Sequence, residues 1–318
     1  MAHSRARFMP YLGETCALLT ALCWTGSSSA FAVASRAVGP RPANQFRLYA
    51  ALPCLLVLAW AVTGSCWPQG LGEERLWYLV TSGIAGLVLG DIGFFYALAK
   101  IGPRISSVVF AAWPGMTVGI EALCGRAPSS LVLVGIGLTM VGVGLVLLRN
   151  REGSTWNPGL QRHQWWLGLG GALLGAAGQA GGFLLAGPGM APGPDLPGGV
   201  DPLHATIVRM ATGVVGLQVY LLLLRQPFAL RAVLDRPLAI RAALLGALFG
   251  PIGGVWLSMV SRAHAQNAGV ASALMATTPI FMMPVAWRLY GARIGWLGTV
   301  GTLLAVGGVV LCFLVREP

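Results

Sequence analysis

Long apolar stretches alternate with short polar connections along the whole chain. Each stretch is close to the roughly 20 residues that a helix needs to cross a bilayer core. Apolar and polar residues do not alternate within the stretches, as they do in the strands of membrane barrels. The pattern therefore predicts an all-α integral membrane protein. Its ten predicted transmembrane helices cover 12–35, 45–63, 76–98, 104–124, 129–148, 165–187, 203–224, 238–260, 267–288 and 294–315.

Composition and charge support the membrane class. Of 318 residues, 56% are hydrophobic and only 10% are charged, whereas soluble domains carry about a quarter charged residues. The formal net charge is +11, but the basic residues are scattered through short loops. Loops of this kind lie beside anionic lipid headgroups, so membrane lipids are expected partners and nucleic acid is not.

The sequence repeats itself in order. The aligned residues include several that are uncommon in apolar helices, and small changes of offset between pairs are what loop insertions produce. The matched pairs are Trp24 with Gln179, Arg47 with Arg209, Ser107 with Ser272, Ala111 with Ala276, Pro114 with Pro279, Gly135 with Gly301 and Gly142 with Gly308. An internal duplication is therefore predicted.

The duplication predicts the architecture. Five spans fall in each half, and five is odd, so the second half must enter the membrane from the opposite side. We expect two inverted five-helix repeats, residues 1–150 and 151–318, joined by the polar stretch at 149–164. Such halves can pack in two nearly equivalent ways around a central site, which is typical of carriers that work by alternating access.

Three stretches carry a family resemblance: WTGSSSAF at 24–31, GDIGFFYALAKIGPRISSVVFAAWP at 90–114, and its second-half counterpart at 250–284. Nearly the whole chain resembles the EamA type of the drug/metabolite transporter superfamily. The resemblance implies a ten-helix carrier with two five-helix repeats around a central cavity, often an exporter of metabolites. One departure is that the usual Gly-Glu pair between the fourth and fifth helices is Gly125-Arg126 here and Gly291-Ala292-Arg293 in the second half.

Asp91 is the main candidate for proton coupling. Only Asp91 and Glu121, of ten acidic residues, fall well inside predicted spans. A carboxylate at the bilayer centre costs about 2.5–3.5 kcal/mol on insertion scales, so its retention needs an explanation. One interpretation is a carboxyl group that gains and loses a proton during transport. The other is structural: Asp91 bonds a neighbouring backbone or an arginine. Glu121 lies near a helix end and is expected to reach lipid headgroups.

Arg47 and Arg209 open the second and seventh predicted spans at matching positions. They are charge-partner candidates, able to attract an anionic substrate or to pair with Asp91. Alternatively, their side chains extend to lipid phosphate at the interface, and the sequence favours that interpretation.

The candidate substrate-cavity residues share a predicted position away from the membrane interfaces. Rings in a cavity suit a flat or amphipathic solute or a cation, but they also serve helix packing. A buried amide needs hydrogen-bond partners, and threonines before a proline lie beside a carbonyl that the proline leaves free. These candidates are Trp24, Tyr96, Trp113, Gln179, Trp256, Thr277 and Thr278.

These features favour a secondary active transporter of small metabolites or of amphipathic and aromatic solutes. No Gly-Lys-Ser/Thr phosphate loop follows the glycine-rich sixth span, whose GxxxG patterns at Gly171–Gly175 and Gly178–Gly182 predict close helix packing instead. No clustered His, Asp or Cys suggests an enzyme, a cofactor or a metal site.

A second function stays open on the sequence: a flippase for lipid headgroups or lipid carriers, with Arg47 and Arg209 as headgroup sites. The orientation of the chain in the membrane also stays open. The count of basic loop residues places both termini outside, whereas the resemblance implies cytoplasmic termini. We expect a multi-pass protein of the cell (inner) membrane, monomeric or homodimeric.

Overall fold

The computed structural model describes residues 11–126, 128–149, 161–194, 196–226, 228–278, 280–281, 284–285 and 296–314. Within these residues the fold is helical, and the only β-type pairing is an isolated bridge between Gly193 and Leu196. The helices are α1 (Leu12–Val38), α2 (Pro40–Thr63), α3 (Glu73–Gly83), α4 (Asp91–Phe110), α5 (Trp113–Leu123), α6 (Ser130–Arg149), α7 (Arg162–Met190), α8 (Pro202–Leu223), α9 (Leu230–Leu234), α10 (Pro237–Ala247), α11 (Trp256–His264), α12 (Ala268–Met275) and α13 (Trp296–Leu314).

Two π-helical segments interrupt these helices. The first, Ile84–Gly90, joins α3 to α4, and the second, Leu248–Val255, joins α10 to α11. Helical structure therefore runs without a break from Glu73 to Phe110. The sequence predicted a loop between 98 and 104, and that prediction is wrong: the chain turns at 111–112, inside the predicted span 104–124.

Among the described residues, six helical segments are long and apolar enough to cross a membrane: Leu12–Ser35, Arg41–Thr63, Glu73–Ala97, Arg162–Met190, Pro202–Leu223 and Pro237–His264. Two shorter apolar helices lie at Ser130–Leu145 and Trp296–Cys312. Large apolar side chains such as Val57, Trp60 and Leu223 are exposed on the outside of the bundle. An apolar surface of this kind fits a lipid surround rather than water. The chain has an all-α integral membrane fold.

The first helix of each half packs against the third and fourth spans of the other half. Helix α1 packs along α10, the second π-helical segment and α11, while α7 packs along α3, the first π-helical segment and α4. Six further helices pair with their counterparts: α2 with α8, α5 with α12, and α6 with α13. The short helix α9 packs against α2 and α10. Contacts that run both ways between matching elements are what a two-fold relation produces.

A serine-to-carbonyl hydrogen bond occurs at matching places in both halves. The position that carries the serine donor in one bond carries the glycine acceptor in the other. The Ser27 hydroxyl donates to the Gly246 carbonyl oxygen at 3.0 Å, and the Ser82 hydroxyl donates to the Gly182 carbonyl. In the repeat, Ser27 matches Gly182 and Ser82 matches Gly246. The helix breaks also match, at 111–112 and 276–277. These matches support the predicted duplication. Its boundary at 149–164 lies mostly outside the described residues, so the division at 150 stays a prediction.

The close packing predicted for the glycines of α7 is confirmed. A β-carbon added at Gly178 would lie 2.7 Å from the Gly90 Cα, and one added at Gly182 would lie 2.9 Å from the Gly86 nitrogen. Both distances are too short for a real side chain. The glycine face of α7 therefore holds the first π-helical segment against it, and that segment carries the chain to Asp91.

Candidate functional site

The candidate site lies where the π-helical segments end. A π-helical turn rarely occurs without a functional or packing reason, and here two occur at matching places in the two halves. Asp91 follows the first segment directly, and Trp256 follows the second. The residue directly after the π-helical segment is therefore an aspartate in one half and a tryptophan in the other.

Asp91 is paired with Arg47. The Arg47 Nη2 atom lies 2.5 Å from the Asp91 Oδ2 atom, which links α2 to α4. The two side chains are 19% and 23% exposed, so the pair is mostly but not fully buried. The Arg47 guanidinium also faces the rings of Phe31 and Phe95, each centred 5.8 Å away. Of the two possibilities for Arg47, the structure places it with Asp91 rather than extended toward lipid phosphate.

Arg209 has no comparable partner. Its side chain is only 2% exposed, so the expectation that it extends to the interface is wrong. Its Nη1 atom donates to the Met259 Sδ atom at 2.7 Å, and a thioether sulfur is a weak acceptor. The Arg209 Nε atom has no hydrogen-bond partner among the described residues. Nor does any described carboxylate come within 4.0 Å of it.

Arg47, Arg209 and Asp91 come from three helices and lie near the first π-helical segment. A β-carbon added at Gly86 would sit 3.2 Å from the Arg209 Nη2 atom. Gly86 precedes Asp91 by five residues, or roughly 7.5 Å at the helical rise. Helix α8 packs against both α2 and the first π-helical segment. Two cations and one anion therefore share the region between α2, α8 and that segment.

The four candidate aromatic residues do not form one wall. Trp113 is 1% exposed and packs edge-on against Phe183, with ring centroids 5.8 Å apart. Trp24 is half-buried, against Trp113's core cluster, and Trp256 packs on a separate one. Tyr96 is exposed, with the Lys100 ammonium 5.8 Å from its ring. A role in binding stays a prediction for all four.

The three polar candidates lie beside interruptions of regular α-helix. Gln179 on α7 is half-buried, beside the backbone of Gly90. The Thr277 and Thr278 hydroxyls donate to carbonyls three residues earlier, at 2.6 and 2.9 Å. The Thr278 carbonyl in turn accepts from the Thr25 hydroxyl of α1 at 3.2 Å. Pro279 lies outside the described residues. These hydroxyls stabilise the interrupted helix, and their contact with a substrate stays a prediction.

Two further buried carboxylates hold the turn between α11 and α12. Glu14 accepts from the Gln266 backbone nitrogen at 3.3 Å. Glu121 accepts from the Ala268 and Gly269 nitrogens at 3.3 and 2.9 Å. The expectation that Glu121 reaches headgroups is wrong, because its side chain is buried at the start of α12. Free amides at a helix start attract carboxylates, but the sequence did not indicate which acid would reach them.

Two hollows flank the bundle. An apolar groove of about 610 Å³ runs between the α3 side and α8, lined by residues such as Val80, Ile84, Val208 and Val215. A polar hollow of about 250 Å³ lies at the start of α8, where the His204 Nε2 atom is 3.1 Å from the Ser65 carbonyl oxygen. Within the described residues, no three His, Cys, Asp or Glu side chains are grouped to hold a metal ion.

The described residues form an all-helical membrane fold in which each half packs on the other and charged side chains are buried. The sequence model of the EamA-like transporter family matches residues 11–148 and 193–314. The chain therefore belongs to the EamA-like transporter family and is a membrane transporter of the drug/metabolite type. Its small-molecule substrates and multi-pass membrane location follow from that membership.

Solved structures agree on the fold. One crystal structure, described only as that of a protein, is similar with a TM-score of 0.73. The alignment covers 95% of this chain and 96% of the other, at 16% sequence identity. Identity this low supports the fold alone. No curated protein sequence matches the chain.

Proposed function

We propose that this transporter is a secondary carrier in which the Arg47–Asp91 pair couples proton movement to solute movement. The observation that supports the proposal most strongly is the 2.5 Å contact between α2 and α4. It lies at the end of a π-helical segment and is mostly removed from solvent. A charge pair in such a place responds strongly to the loss of either charge.

Protonation of Asp91 changes what holds α2 to α4. With a proton on the carboxyl group, the ion pair becomes a weaker hydrogen bond between the charged Arg47 guanidinium and a neutral carboxyl group. The two helices are then free to separate, and Arg47 keeps its charge without a balancing carboxylate. Release of the proton restores the pair. Alternating access follows if the two exchanged halves repack around this contact.

The solute proposed for this carrier is a small metabolite or an amphipathic, aromatic compound, moved outward across the cell membrane. The rings of Phe31 and Phe95 beside Arg47 support an aromatic component, because stacked rings and guanidinium groups both bind flat π-systems. The proposed outward direction of transport rests on the family resemblance, which implies a carrier that is often an exporter.

Reconstitution tests the proposal. Purified protein in liposomes is given a metabolite panel with and without an imposed pH gradient, and Asp91→Asn is compared with wild type. We expect gradient-driven flux in wild type and flux that ignores the gradient in Asp91→Asn. Asp235→Asn, which changes an exposed carboxylate at the end of α9, is the control and should behave as wild type. Unchanged coupling in Asp91→Asn would remove the pair from the mechanism.

The apolar groove between α3 and α8 supports a second candidate, a flippase for lipid-linked substrates. Its lining is almost wholly apolar, as a path for an acyl or isoprenoid chain requires. The same liposomes carrying a headgroup-labelled lipid distinguish the two. Protein-dependent exposure of labelled lipid in the outer leaflet, without metabolite flux, would favour the flippase.

A further inference from the structure

The two matched arginines differ in what balances their charge. Arg47 has the Asp91 carboxylate at 2.5 Å, whereas the residue that follows the second π-helical segment, as Asp91 follows the first, is Trp256. An indole supplies a donor but no acceptor for a guanidinium. The second half therefore keeps the cation and lacks the anion. This difference follows from the repeat and the positions of the two π-helical segments.

Arg209, which has no carboxylate beside it among the described residues, is enclosed by protein. Arg209 is 2% exposed, yet only the Met259 sulfur accepts from its Nη1 atom, and its Nε–H has no partner within the described residues. Buried guanidinium groups are normally paired, since an isolated charge is costly away from water. A methionine side chain is unbranched and has several rotatable bonds. Met259 is therefore a neighbour that can move aside for a better acceptor.

Groups from the surrounding helices do not supply the missing charge. Helix α2 contributes Arg47, and the first π-helical segment leads to Asp91, which Arg47 already binds. Helix α11 contributes Arg262, whose Nε donates to the Phe183 carbonyl oxygen at 3.2 Å and whose charge is attracted by the Glu121 carboxylate. Among the described residues, no carboxylate lies within 4.0 Å of Arg209. One added anion would balance the Arg209 charge.

We propose that Arg209 binds the carboxylate of an anionic solute, which would make the transported substrates organic acids. The planar guanidinium presents paired N–H donors that match a carboxylate, with Nε and Nη as the available edge. The site lies deep in the bundle rather than beside headgroups, which favours a small free acid over a lipid phosphate. This inference rests on the proposed carrier function.

A binding experiment tests the inference without requiring transport. Purified protein in neutral detergent is titrated with carboxylates and their uncharged amides as matched pairs: acetate with acetamide, benzoate with benzamide, and indole-3-acetate with indole-3-acetamide. Chloride at the same ionic strength is a separate arm. Tryptophan fluorescence and thermal stabilisation are the readouts. The variants are Arg209→Gln and Arg209→Lys, with Arg241→Gln as control, because Arg241 is an exposed arginine on a different helix, α10.

We expect at least one carboxylate to bind at least about tenfold more tightly than its amide, since the amide replaces an ion pair with a hydrogen bond from the guanidinium to a neutral acceptor. Arg209→Gln should remove that preference. Arg209→Lys should keep part of it, which also shows that a change at this position permits folding. Arg241→Gln should match wild type.

Three results would overturn the inference: no carboxylate preferred over its amide, a preference unchanged in a folded Arg209→Gln variant, or saturable binding of chloride alone. The proposed proton coupling fails separately. Arg209-dependent binding with flux that ignores the pH gradient would preserve the anion site and remove the coupling. Gradient-driven flux of neutral solutes only, unaffected by Arg209→Gln, would do the reverse.

Discussion

Arg47 and Arg209 hold matching places in two halves that otherwise repeat each other closely. Arg47 is part-exposed and bonded to a carboxylate, whereas Arg209 is enclosed and has only a thioether beside it. The scaffold around them is alike in both halves, down to the exchanged serine hydrogen bonds. The comparison teaches that similar helix packing can surround two arginines whose charges are balanced differently, and that the residues after the two π-helical segments, Asp91 and Trp256, differ in what they offer a guanidinium.

The largest expected effect comes from making the halves alike. Trp256→Asp places a carboxylate after the second π-helical segment, as Asp91 stands after the first. If that carboxylate reaches Arg209, carboxylate binding should fall by about a hundredfold, since a built-in anion competes at very high effective concentration. Titration of the variant with the matched carboxylates measures the effect. Trp256→Phe is the control for loss of the indole, and equal losses in both variants would contradict the explanation.

The Arg47–Asp91 pair should show a large coupling of its own. Arg47→Gln and Asp91→Asn each leave one charge unbalanced, and the double variant removes both. We expect a coupling free energy of about 1–3 kcal/mol, reduced from that of a fully buried pair because both groups are partly exposed. Thermal unfolding in detergent, with single and double variants compared, measures it. Additive losses would show that the contact contributes nothing to stability.

The glycine face of α7 should be sensitive at one residue and tolerant at the next. A β-carbon at Gly182 would meet the Gly86 backbone, whereas one at Gly181 would meet nothing within 4 Å. Gly182→Ala should therefore destabilise the protein by about 1–3 kcal/mol through overpacking. Gly181→Ala should be neutral or stabilising by up to roughly 1 kcal/mol, because alanine favours helix. Urea or thermal unfolding of the two variants gives the comparison, and equal effects would contradict the packing.

The smallest expected effect tests the repeat. Ser27→Ala and Ser82→Ala each remove one of the two exchanged hydrogen bonds. Because the bonds match in position, each substitution should cost a similar amount, about 0.5–1.5 kcal/mol. Melting temperatures of the two variants measured side by side provide the test. A loss confined to one serine would show that the halves are not mechanically equivalent there.

Much of the fold was predictable because hydropathy and small residues act locally. Apolar length predicted the helices, and the glycine spacing of α7 predicted its close contact with a neighbour. The repeat pointed to Arg47 and Arg209 together. Asp91 stood out because a carboxylate inside an apolar stretch needs a partner, and Arg47 was already among its candidates.

The remaining features depend on contacts between distant parts of the chain. The burial of Arg209 and its approach to Met259 come from the packing of α8 against α11, which no local pattern encodes. Glu14 and Glu121 bind the turn before α12 from other helices. The continuation of α4 past residue 98 to Phe110 was also missed. Polar residues near the ends of apolar stretches have the same local pattern whether they face lipid headgroups or the protein interior.

The central claim is that the paired arginine responds to protons and the unpaired arginine binds the solute. Its most direct measurement is uptake of a radiolabelled carboxylate into liposomes, with and without a pH gradient, for wild type, Asp91→Asn and Arg209→Gln. We predict gradient-driven uptake in wild type, uptake insensitive to the gradient in Asp91→Asn, and none in Arg209→Gln. Gradient-driven uptake that survives both substitutions would contradict the claim.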